Sequence, residues 1–196
     1  MKLLPFLLLI SILSCKRQDV DIIGRNGKVF HNDTTDIIIR DYNNSDTLIL
    51  EGIDLKNDNK PILAIHKFNL AEKKYGSRLS IYLNRGFCYD MVGKIGEAIE
   101  DYSKCLEMKD DYFPALLNRS MLYKEIGERE KALADINKAV AIHPMEPAAY
   151  YNRAIIYKSI SLFEKACLDA KKSKELGIAN QTIQEDLNQI IKVVCK

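Results

Sequence analysis

From residue 79 onward the apolar positions of the chain repeat on two scales. Over a dozen residues they fall at the three-and-four spacing of an amphipathic helix, as in Ile81 to Val92 and again in Glu97 to Met108, with Gly93 between. Over a longer range the same residue types return every 34 positions: Asn84-Arg85-Gly86, Asn118-Arg119-Ser120 and Asn152-Arg153-Ala154 are in step. Tyr89, Tyr123 and Tyr157 keep that interval, as do Ala98, Ala132 and Ala166. An interval held without gaps is the mark of stacked, similar hairpins, each too small to bury its own apolar face. The blocks are 79–112, 113–146 and 147–180, each predicted to hold a helix, a tight turn and a second helix. Small residues at the eighth slot (Gly86, Ser120, Ala154) and at the twentieth let the two helices approach, and tyrosine at the eleventh fills the space beside them.

Residues 45–78 carry a weaker version of the pattern, with Gly52, Leu55, Ala64, Phe68 and Ala71 on matching slots. Ser45-Asp46 reads as a helix cap, and Pro61 falls near the start of a second helix, where a missing N–H is tolerated. Residues 181–196 place Ile183, Leu187, Ile190, Ile191 and Val194 on one helical face, as a capping helix must. Residues 15–44 have no helical period. Ile22 to Arg25 and Lys28 to His31 flank Asn26-Gly27, which predicts a hairpin with a two-residue turn, and Asp36 to Arg40 suits a further strand. The residues leave open whether this segment is a stalk, a plain tether, or an arm that folds Val29, Phe30, Ile37, Ile38 and Ile39 back over the helices.

The 34-residue pattern resembles the tetratricopeptide repeat. Tyr82, Gly86, Tyr89, Ala98 and Tyr102 fit it in the first block; Ser120, Tyr123, Ala132, Ala139 and Pro144 in the second; Tyr150, Ala154, Tyr157 and Ala166 in the third. Departures are Asp110 and Ile178 in the proline slot, Ala170 for an aromatic, and Ser161 for glycine in the last turn. The resemblance implies an all-α, right-handed superhelix of three clear repeats and one degenerate repeat, with a concave groove that holds a protein or peptide. In such a stack the first helices line the groove. Ile49, Ile53, Leu83, Phe87, Met91, Leu117, Met121, Tyr151 and Ile155 then form an apolar wall, edged by Lys56, Asp90, Lys124, Glu125 and Lys158. Burial between neighbouring repeats is the competing outcome for these side chains. Asn84, Asn118 and Asn152 are candidates either for hydrogen bonds to a peptide backbone or for ties between repeats. Family members that clamp a terminal carboxylate use Lys and Asn where this chain has Leu83 and Phe87, so an acidic C-terminal tail is not the expected occupant.

Arg85, Arg119 and Arg153 stand at the seventh slot, and Asp101, Asp135 and Asp169 at the twenty-third; the degenerate repeat holds Glu51 and Lys67 there, with the signs inverted. Opposite charges in all four predict an ion pair across each hairpin, partly buried and setting register.

Composition adds exclusions. With Lys+Arg 29 against Asp+Glu 27 the net charge is only +2, which gives no single-sign field to recruit nucleic acid. His31, His66 and His143 are scattered, and no nucleophile elbow, phosphate loop or metal-binding His-Glu-x-x-His stretch is present. Neither a catalytic site, a metal, a cofactor nor a small-molecule substrate is therefore expected. Met1-Lys2 followed by apolar Leu3 to Leu13 reads as an export signal over residues 1–14, since about 16 Å of helix falls short of a bilayer core of about 30 Å. Ile12-Leu13-Ser14-Cys15 resembles the lipobox of bacterial lipoproteins, which implies lipidation of Cys15 and attachment to a membrane of the cell envelope, on a periplasmic or surface face. Cys88, Cys105, Cys167 and Cys195 remain. Buried free thiols are the expectation, with a Cys167–Cys195 bridge left open. The expected function is a non-catalytic protein-binding module, with a structural envelope subunit that docks through its convex or terminal surface as the alternative.

Overall fold

The computed structural model describes residues 22–23, 29–30, 47–178 and 180–195. Cys15, the signal segment 1–14, the Asp36 to Arg40 strand and the Ser45-Asp46 cap lie outside the described residues. Four helical hairpins follow one another: α1 Thr47–Asn57 with α2 Pro61–Tyr75, α3 Leu79–Met91 with α4 Ile95–Met108, α5 Phe113–Glu125 with α6 Arg129–Ile142, and α7 Pro147–Ser159 with α8 Phe163–Leu176. A final helix, α9 Gln181–Val194, packs on α8. Each hairpin is tight within itself and leans on its neighbours, and first helices also touch first helices, α1 with α3 and α5 with α7. This is an all-α array with an inner wall of odd-numbered helices.

The turns within the hairpins are four copies of one backbone. Asn59, Gly93, Gly127 and Ser161, at the same slot of successive repeats, all have positive φ, from 58° to 81°. In each, the next N–H reaches back to the eleventh-slot carbonyl: Lys60 to Leu55, Lys94 to Tyr89, Glu128 to Tyr123 and Leu162 to Tyr157, at 2.8, 2.8, 2.8 and 2.9 Å. Ser161 therefore keeps the family turn without glycine, at a left-handed cost of about 1 kcal/mol. The eighth slot is matched to the twenty-fourth by size. A Cβ on Gly86 would lie 3.0 Å from the Tyr102 ring, and one on Gly52 would lie 2.6 Å from Phe68, so the aromatic claims the space a side chain would need. Where that partner shrinks to Ile136 and Ala170, the eighth slot grows to Ser120 and Ala154, all four fully buried.

The core is continuous from α5 to the C-terminus. Ile183, Leu187, Ile190 and Val194 form the buried stripe of α9 and join Ile136, Ala139, Ala166 and Ala170 in one cluster. Asn180 caps α9 by accepting from the Ile183 N–H at 3.2 Å. Cys167 on α8 is bonded to Cys195 just beyond α9. That corrects the expectation of free thiols for this pair, because both ends fall at the α8–α9 seam, which sequence spacing does not reveal. Cys88 and Cys105 are free and buried.

Two short strands precede the helices, β1 Ile22–Ile23 and β2 Val29–Phe30, paired antiparallel. Ile23 stands opposite Val29, whereas a two-residue turn at Asn26-Gly27 would put it opposite Phe30. The register is thus one residue from the expected one, because an odd number of residues connects the strands. The turn itself lies outside the described residues. β2 rests against α5 and α7.

The bridge closes a loop with a sequence separation of 28, for which loop entropy gives about 3–4 kcal/mol. Cys195→Ser is expected to lower unfolding stability by up to that amount and to speed amide exchange first in α9. Burial pushes the Cys88 thiol up to about 12, with Lys56 opposing, so it should resist alkylation until the protein unfolds. Equal urea midpoints with and without the bridge would refute its stabilising role.

Candidate partner-binding groove

The wall is held in place by an arginine in each clear repeat. Arg85 grips Asp101 with Nε and Nη2, both at 2.8 Å. Arg119 grips Asp135 at 2.7 and 2.9 Å, and Arg153 grips Asp169 at 2.6 and 2.8 Å. In the degenerate repeat Lys67 meets Glu51 at 2.5 Å, the inverted pair. The fork-to-fork geometry uses two of the guanidinium nitrogens. The third points backward: Nη1 of Arg85, Arg119 and Arg153 donates to Asn69, Ser103 and Asn137 at 2.7, 2.8 and 3.1 Å. Those acceptors are themselves 34 apart, on the second helix of the preceding hairpin. Each arginine therefore closes its own hairpin and fastens it to the one before, through acceptors at Asn69, Ser103 and Asn137 whose varying type leaves no repeat signal in the sequence.

Tyrosines sheath these cations. The Arg119 guanidinium lies 5.5 Å from the Tyr123 ring, and Arg153 lies 5.5 Å from Tyr150 and 5.7 Å from Tyr157. Burial alone would depress the Arg85 pKa, but Asp101 and then Glu72 more than reverse this and raise it. Glu72 accepts from Arg85 Nη1 at 2.6 Å and from the Tyr82 hydroxyl at 2.7 Å. Burial works to raise the Glu72 carboxyl, yet those two donors hold it below the usual carboxylate range.

The groove residues divide into two sets. Leu83, Leu117, Met121 and Tyr151 are buried, and Leu117 and Met121 are wholly so. Ile53, Phe87, Met91, Lys124 and Ile155 are half-buried, and Lys158 is exposed. The expected open strip is thus shallower than the spacing implied, because neighbouring first helices and the chain ends pack over its floor. One such closure is explicit: the Tyr151 hydroxyl reaches Asp186 of α9 at 2.5 Å, and burial together with that carboxylate raises the phenol's pKa. At the other end Lys56 Nζ donates to Asn84 Oδ1 at 2.7 Å and sits 5.7 Å above the Phe87 ring. Burial there lowers the lysine pKa, with Cys88 only partly opposing.

The three asparagines are not equivalent. Asn84 is spent, donating to the Ser80 carbonyl at 2.8 Å while accepting from Lys56. Asn118 Oδ1 and both polar atoms of Asn152 are buried with no hydrogen-bond partner. These unpaired atoms stand on α5 and α7, both of which β2 touches. Lys124 also borders a cavity of about 120 Å³ between α5 and α7, lined by Gly127, Arg129, Ala132, Ile156, Ser159 and Ile160. Among the described residues no group of His, Cys, Asp and Glu is arranged to hold a metal ion, and no helix is long and apolar enough to cross a membrane.

A double-mutant cycle on Arg119→Ala and Asp135→Ala, followed by urea unfolding, is expected to give a coupling of about 1–3 kcal/mol. The more deeply buried Arg85→Ala should cost more on its own, about 3–5 kcal/mol. A coupling near zero would mean that the pair does not fasten the hairpin. Glu72, with its depressed pKa, contributes stability that is complete above the unfolded carboxylate range, about 4.3, and is lost as pH falls through its folded value. Glu72→Gln should flatten that acid limb in pH-dependent melts, and an unchanged limb would assign it to other carboxylates.

Residues 79–112 and 113–144 match the sequence model of the tetratricopeptide repeat. No curated protein matches the chain in sequence. Among solved structures, a tetratricopeptide repeat protein from Parabacteroides merdae is 26% identical with a TM-score of 0.63, over 74% of this chain and 58% of that one. MamA from Desulfovibrio magneticus, from residue 41 to its end, gives a TM-score of 0.65 at 16% identity, over 76% of this chain and 89% of that one. The first tetratricopeptide domain of Spaghetti (RPAP3), bound to an HSP90 peptide, gives 0.53 at 24% identity, over 60% of this chain and 94% of that one. Residues 79–144 are thus two tetratricopeptide repeats, and the same helical hairpin continues on either side of them.

Proposed function

We propose that this chain is a non-catalytic protein-binding module that takes an extended segment of a partner along its concave wall, and that it works tethered to a membrane of the bacterial cell envelope through lipid on Cys15. One observation carries the binding reading. The first helices carry half-buried Phe87, Met91 and Ile155 together with a buried amide, Asn152, and a buried side-chain carbonyl oxygen, that of Asn118, which have no hydrogen-bond partner. A buried amide without a partner is costly, and an extended backbone supplies both the carbonyl and the N–H that would satisfy it. The apolar side chains alongside favour an apolar segment over a charged one. The repeat domain of Spaghetti, which shares the fold, is bound to an HSP90 peptide, and that supports the reading. Its acidic peptide is not carried over, because Leu83 and Phe87 stand where a clamp would need polar groups. The envelope placement is supported by the residues of 1–15 alone.

A second reading is favoured by a different observation. Ile62 and Leu63 on α2, at 72% and 55% exposure, offer an outer apolar surface to a larger assembly. Photo-cross-linking in native membranes separates the two. Phe87→Asp is expected to reduce capture of the partner at least tenfold while the melting temperature stays near that of the wild type, and Leu63→Asp is expected to leave capture intact. The reverse pattern would move the interface to the outer face. Cys15→Ala should release the chain from the membrane fraction, and continued membrane attachment would sink the anchor.

A further inference from the structure

We infer that the chain carries its own groove ligand: the N-terminal strand β2 occupies the wall at α5 and α7, so that the partner must displace it. The inference rests on the groove reading above and adds its regulation. Strand β2 lies against α5 and α7, both of which are first helices. A strand that touches first helices of successive repeats runs across the inner wall, where an extended partner would lie.

Of the first helices α5 and α7, both touched by β2, α5 has its ninth-slot Met121 wholly buried, while on α7 Ile155 is still half-buried, so the wall is closed at one and partly open at the other. The occupant is also incomplete. Asn152, on α7, keeps both amide atoms unpaired, so the segment rests on that helix without using its hydrogen bonds. A partner strand that met those amides would hold the same place more firmly.

Chain length permits the arrangement. Sixteen residues separate Phe30 from Thr47, enough to span about 50 Å extended, while three steps along the stack of first helices come to about 30 Å. A tether of that length presents the strand at an effective concentration on the order of 1 mM, so weak intrinsic affinity suffices to fill the wall, and an incoming segment is penalised accordingly.

The test uses the full chain and a fluorescein-labelled synthetic peptide of residues 20–32, read by anisotropy. Val29→Asp with Phe30→Asp in the chain is expected to empty the wall and to raise peptide affinity at least tenfold over wild type. Adding Ile155→Asp, a half-buried position on α7, to that variant should abolish the gain. A photo-cross-linker at position 30 should join α5 or α7 of the same chain. Equal affinities in wild type and variant, no peptide binding by either, or cross-links only to a second copy would each overturn self-occupancy. If the peptide never binds while Phe87→Asp still abolishes partner capture, the binding function stands and only the internal ligand fails.

Discussion

The architecture depends on a guanidinium that makes bonds in two directions. A helical hairpin of this size cannot bury its apolar faces alone, and stacking solves that only if each hairpin sits at a fixed offset from the last. Dispersion between Ala, Ile and Leu surfaces is permissive about sliding by a turn. The planar fork of Arg85, Arg119 or Arg153 is not: two nitrogens must meet one carboxylate across the hairpin while the third reaches the side chain of the previous repeat. Desolvating such a charge is expensive, so a slipped register that left any nitrogen unpaired would be disfavoured by several kcal/mol. Stacking attraction supplies most of the stability, and the arginines choose which stack forms.

This division explains what the residues disclosed and what they hid. Residue types that recur at 34 were legible, because each repeat presents the same neighbours to the same slot, whereas the acceptors Asn69, Ser103 and Asn137 keep the spacing but vary in type and went unseen. The Arg–Asp pairs, the small residue at Gly86 and the turn at Gly93 are of the legible kind. Ser161 looked like a defect, yet its turn is intact. Four-fold packing on either side imposes one backbone, and a single left-handed serine is a small cost against it.

What stayed hidden involves contacts between unlike elements. Tyr151 occupies a groove slot by periodicity, but its hydroxyl is bound to Asp186 of the capping helix, which belongs to no repeat. The Cys167–Cys195 bridge joins a repeat to that same helix. The depth of the wall at Leu117 and Met121 depends on what lies over it, and the spacing that identified these residues as facing inward says nothing of their covering. Periodicity assigns the direction of a side chain, and only the ends of the array decide its exposure.

The two ends close the array in opposite ways. At the C-terminus α9 is amphipathic, disulfide-bonded and capped by Asn180, and it buries four large side chains in the last cluster. At the N-terminus the covering segment is a two-residue strand that leaves the Asn152 amide unsatisfied. A two-residue strand has far fewer backbone bonds to lose on opening than a fourteen-residue helix held by a disulfide, so the N-terminal end of the array is the easier of the two to open. Six residues lie between Cys15 and Ile22, about 20 Å at full extension. With the proposed anchor at Cys15, a seated strand would hold the inner wall close against the bilayer. A displaced strand would free more than thirty residues of slack before α1. Partner binding and distance from the membrane would then be coupled through one short segment, since the residues that fill the groove are the same ones that set the length of the leash.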